Sequence, residues 1–260
     1  MICIKKKGVF VTVSLPDAQR LGWPFLSVAE SRQLDVEAIE KHGVAGIVLM
    51  ENAGKGCADR ILQVLSGEVP ERQSGTIADP RSFANTSTMV LAGSGNNGGD
   101  GFVIGRHLHI AGHPVAVLLL ASPDRLRGDA KISFDRAVDA GVSIQSVTEP
   151  AKIVAILGRH DGLIVDCLLG TGASGDPREP YASAINAANR AASVLLIAID
   201  LPSGLDGDTA QAGEPTFRAD LTLTFVTAKL AMQNPLASEW LGEVEIVDIG
   251  LPDAMMQRLR

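Results

Sequence analysis

A chain of 260 residues, 46% hydrophobic and 20% charged, has enough apolar material for one large α/β domain or two small ones, and its balance gives no sign of global disorder. A net charge of -7 speaks against a nucleic-acid or anionic-membrane partner, though not against a small nucleotide, which senses only its local pocket. The cysteines, Cys3, Cys57 and Cys167, are scattered without metal-ligand spacing, as suits a reduced, cytoplasmic setting.

The opening MICIKKKGVFVTVSLPD has a basic stretch and a short apolar run, but Pro16 and Asp17 end it without a small-residue cleavage site. No apolar segment approaches the roughly 20 residues of a membrane span. A helix opens at Ser27, which forms a capping-box pattern with Glu30, and it stops at Gly43. A second helix runs from Ile47 to Leu65, where Gly54 and Gly56 imply close packing or backbone approach. The polar stretch from Ser66 to Ser87 reads as a long surface loop. Beyond it, strands at 89–92, 115–120, 143–147, 163–169, 194–199, 221–226 and 244–249 alternate with helices at 102–111, 129–140, 151–157 and 181–192. Continuous apolar strands in such an alternation predict an α/β fold with a doubly wound, mainly parallel sheet. Right-handed crossovers then gather the strand-end loops on one rim.

Three of those loops carry chemistry. The first, AGSGNNGGDGFVIGRHL at 92–108, turns from a strand into a helix expected to begin near Gly101. Gly93, Gly95, Gly98 and Gly99 remove side chains where a ligand would approach, and the amides of the following helix favour a phosphate. It is neither a Walker loop nor a clean GxGxxG, and a turn serving packing alone stays open. Asn96, Asn97 and Asp100 add polar groups that can orient a ligand or an ion.

In IVDCLLGTGASGD, 164–176, Asp166 ends an apolar strand, where a carboxylate needs a cation, donors or solvent. In IAIDLPSGLDGD, 197–208, a strand delivers Asp200 to the same rim. A structural turn aspartate is the alternative for each. Lys229 follows a further strand and reads equally as a surface lysine or a cation at the rim. His42, His107, His109, His113 and His160 show no catalytic spacing, and Cys167 reads as core.

LMENAG at 49–54, GSGNNGGDGFVIGRHL at 93–108, VDCLLGTGASGD at 165–176, AIDLPSGLDGD at 198–208 and GEVEIVDIGLP at 242–252 occur in this order. Together they resemble the YjeF N-terminal domain family, the NAD(P)H-hydrate epimerases, over about 27–252. Residues 1–26 then read as a variable extension and 253–260 as a tail. The resemblance implies a Rossmann-like three-layer α/β/α sandwich that interconverts the R and S forms of hydrated NADH or NADPH. It implies substrate contacts at Asn96, Asn97, Gly98, Gly99, Asp100, Gly170, Thr171, Gly172, Ala173, Ser174, Gly175, Asp176 and Asp200. It also implies a potassium ion held by Asn97, Asp166 and Ser203 with backbone carbonyls, a homodimer, and a separate NAD(P)H-hydrate dehydratase, for which 260 residues leave no room. A hard monovalent cation suits those oxygen donors.

The chemistry expected is proton transfer at a ring carbon that carries a hydroxyl beside the ring nitrogen. Asp200 is the first candidate for the acid-base group, Asp100 the second, and Lys229 a helper. The rival reading is a non-catalytic nucleotide-binding or scaffold domain of the same fold. An ordinary NAD(P)-dependent dehydrogenase lacks support, for want of the usual dinucleotide fingerprint and a separate substrate domain.

Overall fold

The computed structural model of the protein describes residues 12–67, 86–191 and 195–259. The chain enters as strand β1 (Thr12–Ser14), helix α1 (Leu15–Arg20) and the short strand β2 (Phe25–Leu26), then helices α2 (Val28–Glu40) and α3 (Gly46–Leu65). The alternating body follows: β3 (Thr88–Ala92), α4 (Asn96–Ile110), β4 (Val115–Leu119), α5 (Gly128–Asp139), β5 (Ser143–Ser146), α6 (Pro150–Leu157), β6 (Leu163–Cys167), α7 (Tyr181–Asn189) and β7 (Leu195–Ile199). It closes with β8 (Leu221–Phe225), β9 (Ala228–Lys229), α8 (Ser238–Leu241), β10 (Glu243–Val247) and α9 (Asp253–Arg258). The loop expected at 66–87 falls largely outside the described residues, as do residues 1–11.

Eight strands form one sheet in the order β1-β10-β8-β7-β6-β3-β4-β5, and every pairing is parallel except that of β1 with β10. Period-two alternation splits the strand side chains between two cores. Val90, Ala92, Val165 and Ile197 pack with Ile61 of α3 and Phe102 and Leu108 of α4. Leu91, Ile164 and Ala198 pack with Ile153 of α6 and Ile185 of α7. This three-layer arrangement explains why the strands read as unbroken apolar runs: both faces are covered. Gly54 serves close packing, since a Cβ there would lie 2.5 Å from the Val103 Cβ. Among the described residues no helix is long and apolar enough to cross a membrane.

Strand order reverses between β3 and β6, where the chain first builds outward through β4 and β5 and then returns through β6, β7 and β8. The crevice beyond the carboxyl ends at such a switch point is where doubly wound sheets bind ligands. The segments outside the expected 27–252 core are part of the structure. Residues 12–14 add an antiparallel edge strand to β10, and Phe25–Leu26 pairs in parallel with Ala228–Lys229. The last residues form α9, whose Met255 and Met256 are buried beside Ala38, Leu49 and Ile249.

Candidate active site

Helix α4 begins at Asn96, not near Gly101, so the glycine-rich run forms its first turns. Weak helix formers there are overruled by tertiary packing. A Cβ on Gly98 would lie 2.0 Å from the Gly93 carbonyl oxygen, and one on Gly99 would lie 2.6 Å from the Met50 sulfur. Among the glycines of this run, Gly95 alone faces open space. The glycines thus let protein approach protein, and the result carries Asn97 and Asp100 inward while Asn96 remains exposed.

Asp200 follows β7 at φ 64°, and the Leu201 amide donates to the Ile199 carbonyl at 2.8 Å, closing a γ-turn. Val226 repeats the device after β8, with φ 65° and a 2.7 Å bond from the Thr227 amide to the Phe225 carbonyl. Positive φ is uncommon for aspartate and an outlier for a β-branched residue, so local strain is held at both strand ends beside the crevice. The first turn aims Asp200 over the rim. The second leads into β9, where Lys229 is 2% exposed: the surface reading fails, because its ammonium lies 2.8 Å from Asp200 Oδ1. Thr224 Oγ1 accepts from Lys229 at 2.9 Å and donates to Asp200 Oδ1 at 3.3 Å.

Asn96, Asp100, Thr171, Asp200 and Lys229 share a cleft of about 190 Å³ with Asp35 and Arg32 of α2. Asp100 faces it with neither carboxyl oxygen hydrogen-bonded among the described residues. Burial pushes its carboxyl far above the usual range, and repulsion from Asp200 and Asp35 adds to the effect. Asp35 keeps solvent exposure at its residue surface yet stands crowded against the cleft. Burial there, then the Asp200 carboxylate, raises it to about 6, and Lys229 opposes the rise. Sequence reasoning missed Asp35; its signal was an acid one turn before Ile39 on the side of the helix that lines the cleft, with Ser31 and Arg32.

Beneath the cleft, Asp166 is fully buried without a cation among the described residues. Its carboxylate accepts from the Ser203 amide at 2.8 Å, the Ser203 hydroxyl at 2.7 Å and the Leu168 amide at 3.0 Å. Desolvation outweighs these donors and raises Asp166 to about 6. Asn97 Nδ2 donates to the Leu169 carbonyl at 2.8 Å, and its buried Oδ1 has no partner among the described residues. Asn97, Asp166 and Ser203 are therefore brought together by the bonds around Leu169.

The glycine loop after β6 is divided. Thr171 faces the carboxyl cleft, and the Arg32 guanidinium donates to its carbonyl at 3.0 Å beside Gly172. Gly170, Ala173, Ser174, Gly175 and Asp176 line a second cavity of about 140 Å³, walled by the loops 202–206 and 211–213. Asp176 accepts from the Glu214 amide at 3.0 Å and so also holds that wall. The LMENAG segment lines the cleft with Leu49, Met50 and Ala53, while its two polar side chains, Glu51 and Asn52, brace the scaffold. Glu51 binds Arg106 and His107, and the His107 bond first among these partners lowers its carboxyl to about 2. Asn52 Nδ2 donates to the Ile249 carbonyl at 2.9 Å.

Opposed carboxyls at the switch point of a doubly wound sheet define an α/β enzyme that works on a small ligand. Comparison with known proteins narrows the class. The family model described as "YjeF-related protein N-terminus" matches residues 46–231, and the chain belongs to that family. It is 39% identical over 235 residues to a protein of Rhodopirellula baltica named NAD(P)H-hydrate epimerase, covering 90% of this chain and 88% of the relative. A protein of the same name from Pirellula staleyi is 40% identical over 232 residues, covering 88% and 94%. A Thermofilum pendens protein named bifunctional NAD(P)H-hydrate repair enzyme Nnr is 37% identical over 90% of this chain, which spans 41% of that relative. The crystal structure of the yeast protein ynu0 superposes with a TM-score of 0.64 at 21% identity, over 81% of this chain and 83% of its own, and shows the same fold.

Proposed function

We infer that the protein is an NAD(P)H-hydrate epimerase, an isomerase that interconverts the R and S forms of hydrated NADH or NADPH in nicotinamide nucleotide repair. Relatives of that name at 39% and 40% identity over most of the chain support the activity. The observation that carries the chemistry is the division of labour in one cleft: Asp100 is held neutral by burial while Asp200 is ion-paired to Lys229. A protonated carboxyl beside an ion-paired carboxylate supplies a proton donor and an anion to one reacting centre.

Asp100 donates its proton to the ring hydroxyl. The C–O bond breaks, the ring nitrogen supplies its electron pair, and water leaves behind a planar cation. Asp200 steadies that charge, and Lys229 with Thr224 keeps its carboxylate in place. Water returns to the ring carbon as the electron pair goes back to nitrogen, the proton it releases passes to a carboxylate of the cleft, and the product epimer forms when the water adds to the other face.

The donor set beneath the cleft fits a potassium ion. Among the described residues Asn97 Oδ1 is a buried oxygen without a partner and Asp166 a buried carboxylate with no basic side chain paired to it, while Ser203 Oγ binds Asp166 and meets Asn97 only through Leu169. Among the described residues no cluster of three or more His, Cys, Asp or Glu side chains would claim a transition metal. Asn97, Asp166 and Ser203 with backbone carbonyls would hold potassium, which when bound would neutralise Asp166 and fix the loop after β6 that carries Thr171. The word bifunctional in the name of the longer relatives supports a second repair activity, which we take to be that of a dehydratase.

Mixing the protein with separately purified R and S hydrates and following their ratio by chromatography tests this reading. Each epimer approaches the same equilibrium mixture with wild-type protein, and Asp200→Asn slows that approach about 100-fold or more. A ratio unmoved by wild-type protein sinks the assignment.

A further inference from the structure

Epimerisation through loss and return of water poses a geometric problem. Once the cation is planar, a group on one side of the ring can expel and restore water on that side only. Such a site exchanges the hydroxyl oxygen without inverting the carbon. Inversion needs a proton donor and acceptor on each face.

We propose that Asp35 is the acid-base group for the ring face opposite Asp100 and Asp200, so that the cleft works from two walls. The proposal rests on the epimerase reading above. Asp200 and Lys229 lie beyond strand ends at the rim of the sheet and Asp100 in the first turns of α4, whereas α2 supplies a separate wall through Ser31, Arg32, Asp35 and Ile39. These positions fall on one helical face. The wall is fixed in place from both ends. The Val28 amide donates to Asp208 Oδ1 at 2.7 Å, Arg32 donates to the Thr171 carbonyl at 3.0 Å, and Arg258 binds Glu37 at 2.8 Å. Pairing of Leu26 with Lys229 sets the start of α2 directly beside the Asp200 ion pair.

On that wall Asp35 is the group able to exchange a proton, since an arginine does not give one up. Among the described residues its carboxyl has no hydrogen-bond partner. It stands close enough to Asp200 for that carboxylate to repel it and close enough to Asp100 to raise that carboxyl in turn, and its value near 6 lets it both give and take a proton near neutrality. An independent feature marks the same wall as a place for water. Ser31 lines the cleft one turn before Asp35, and its buried Oγ has no partner among the described residues. A hydroxyl left unsatisfied there has a ready use in holding the water that leaves or enters beside Asp35.

The cycle balances without a co-reactant. The neutral carboxyl on one wall protonates the hydroxyl, the C–O bond breaks toward oxygen, and the nitrogen pair forms the C=N bond. Water on the other wall attacks, the pair returns to nitrogen, and the carboxylate there takes the released proton. Solvent resets the two carboxyls.

The test places purified R and S hydrates separately in ¹⁸O-labelled water with wild-type protein or Asp35→Asn, against enzyme-free controls. With Asp35→Asn, interconversion falls about 100-fold, and one epimer still exchanges its oxygen at a rate within about threefold of wild type while the other does not. That retained exchange also shows the variant to be folded, and a merely structural role would not produce it. Interconversion within about threefold of wild type overturns the proposal, and so does equal loss of exchange from both epimers. Wild-type protein that exchanges and inverts neither hydrate overturns the epimerase reading itself.

Discussion

The ammonium of Lys229 sits 2.8 Å from Asp200 Oδ1 with the two side chains only 3% and 14% exposed. The lysine's other contacts are Thr224 Oγ1 and the carbonyls of Phe225 and Thr227, so its charge is compensated on the protein side of the cleft. One oxygen of Asp200 is used in that compensation, which leaves the other for the reacting centre.

Removing the cation should therefore cost both stability and turnover. Lys229→Met strands the Asp200 carboxylate beside Asp35 and Asp100, and a loss of about 2 kcal/mol is expected. Adding Asp200→Asn to that variant restores at least about 1 kcal/mol, because the stranded charge is gone. Urea unfolding of both single variants and the double variant measures the coupling. Simply additive losses would show that the pair contributes nothing.

Asp100 separates stability from activity in a different way. Its raised carboxyl contributes stability that is fully present at low pH, below the ordinary carboxylate range, and is lost as pH rises through its folded value. Asp100→Asn keeps a neutral side chain of similar shape and removes that loss. The variant is expected to melt at or above the wild-type temperature at pH 8 while epimerisation drops about 100-fold. Scanning calorimetry beside the epimer-ratio assay checks both, and a variant that melts several degrees lower would refute the neutral assignment.

Potassium should reverse a pH trend that begins at Asp166. The folded carboxyl is raised from an ordinary 3.8 to about 6, so its contribution is complete below about 4 and fades as pH climbs through 6. In tetramethylammonium buffer, wild-type protein loses melting temperature across that window relative to Asp166→Asn. In potassium buffer the wild-type trend flattens, since a bound cation favours the carboxylate. Comparing slopes rather than absolute temperatures matters, because an asparagine amide would face the Ser203 and Leu168 donors. Identical slopes in the two salts would argue against a cation there.

Gly98→Ala tests whether the glycine run packs protein or admits ligand. A Cβ would lie 2.0 Å from the Gly93 carbonyl oxygen and 2.7 Å from its carbon, both backbone atoms that no rotamer change can move. The expected cost is about 2 kcal/mol, with a fall in activity as Asn97 and Asp100 shift. Gly95→Ala, which meets nothing within 4 Å, should cost far less. Circular dichroism melts of the two variants decide the matter.

Local pattern carried much of the fold. Apolar runs such as 163–165 and Leu195–Ile199, separated by helices, announced a covered parallel sheet, and Ser27 with Glu30 does form the capping box. Asp166 and Asp200 were legible for the same reason: an acid ending an apolar strand needs a special environment. The start of α4 was not, since glycines that disfavour a helix are retained there by contacts with Leu168, Met50 and Cys167.

What the sequence by itself determined was the layered α/β class, the rim on which function sits and the carboxylates at two strand ends. Only the tertiary structure decided that Lys229 is buried against Asp200, that Asp35 joins the cleft from α2, that residues 25–26 pair with β9 beside that wall, and that the loop after β6 serves two cavities. Periodicity records which way a side chain points within its own element. Burial and charge repulsion depend on groups far away along the chain, and they set which carboxyl keeps its proton.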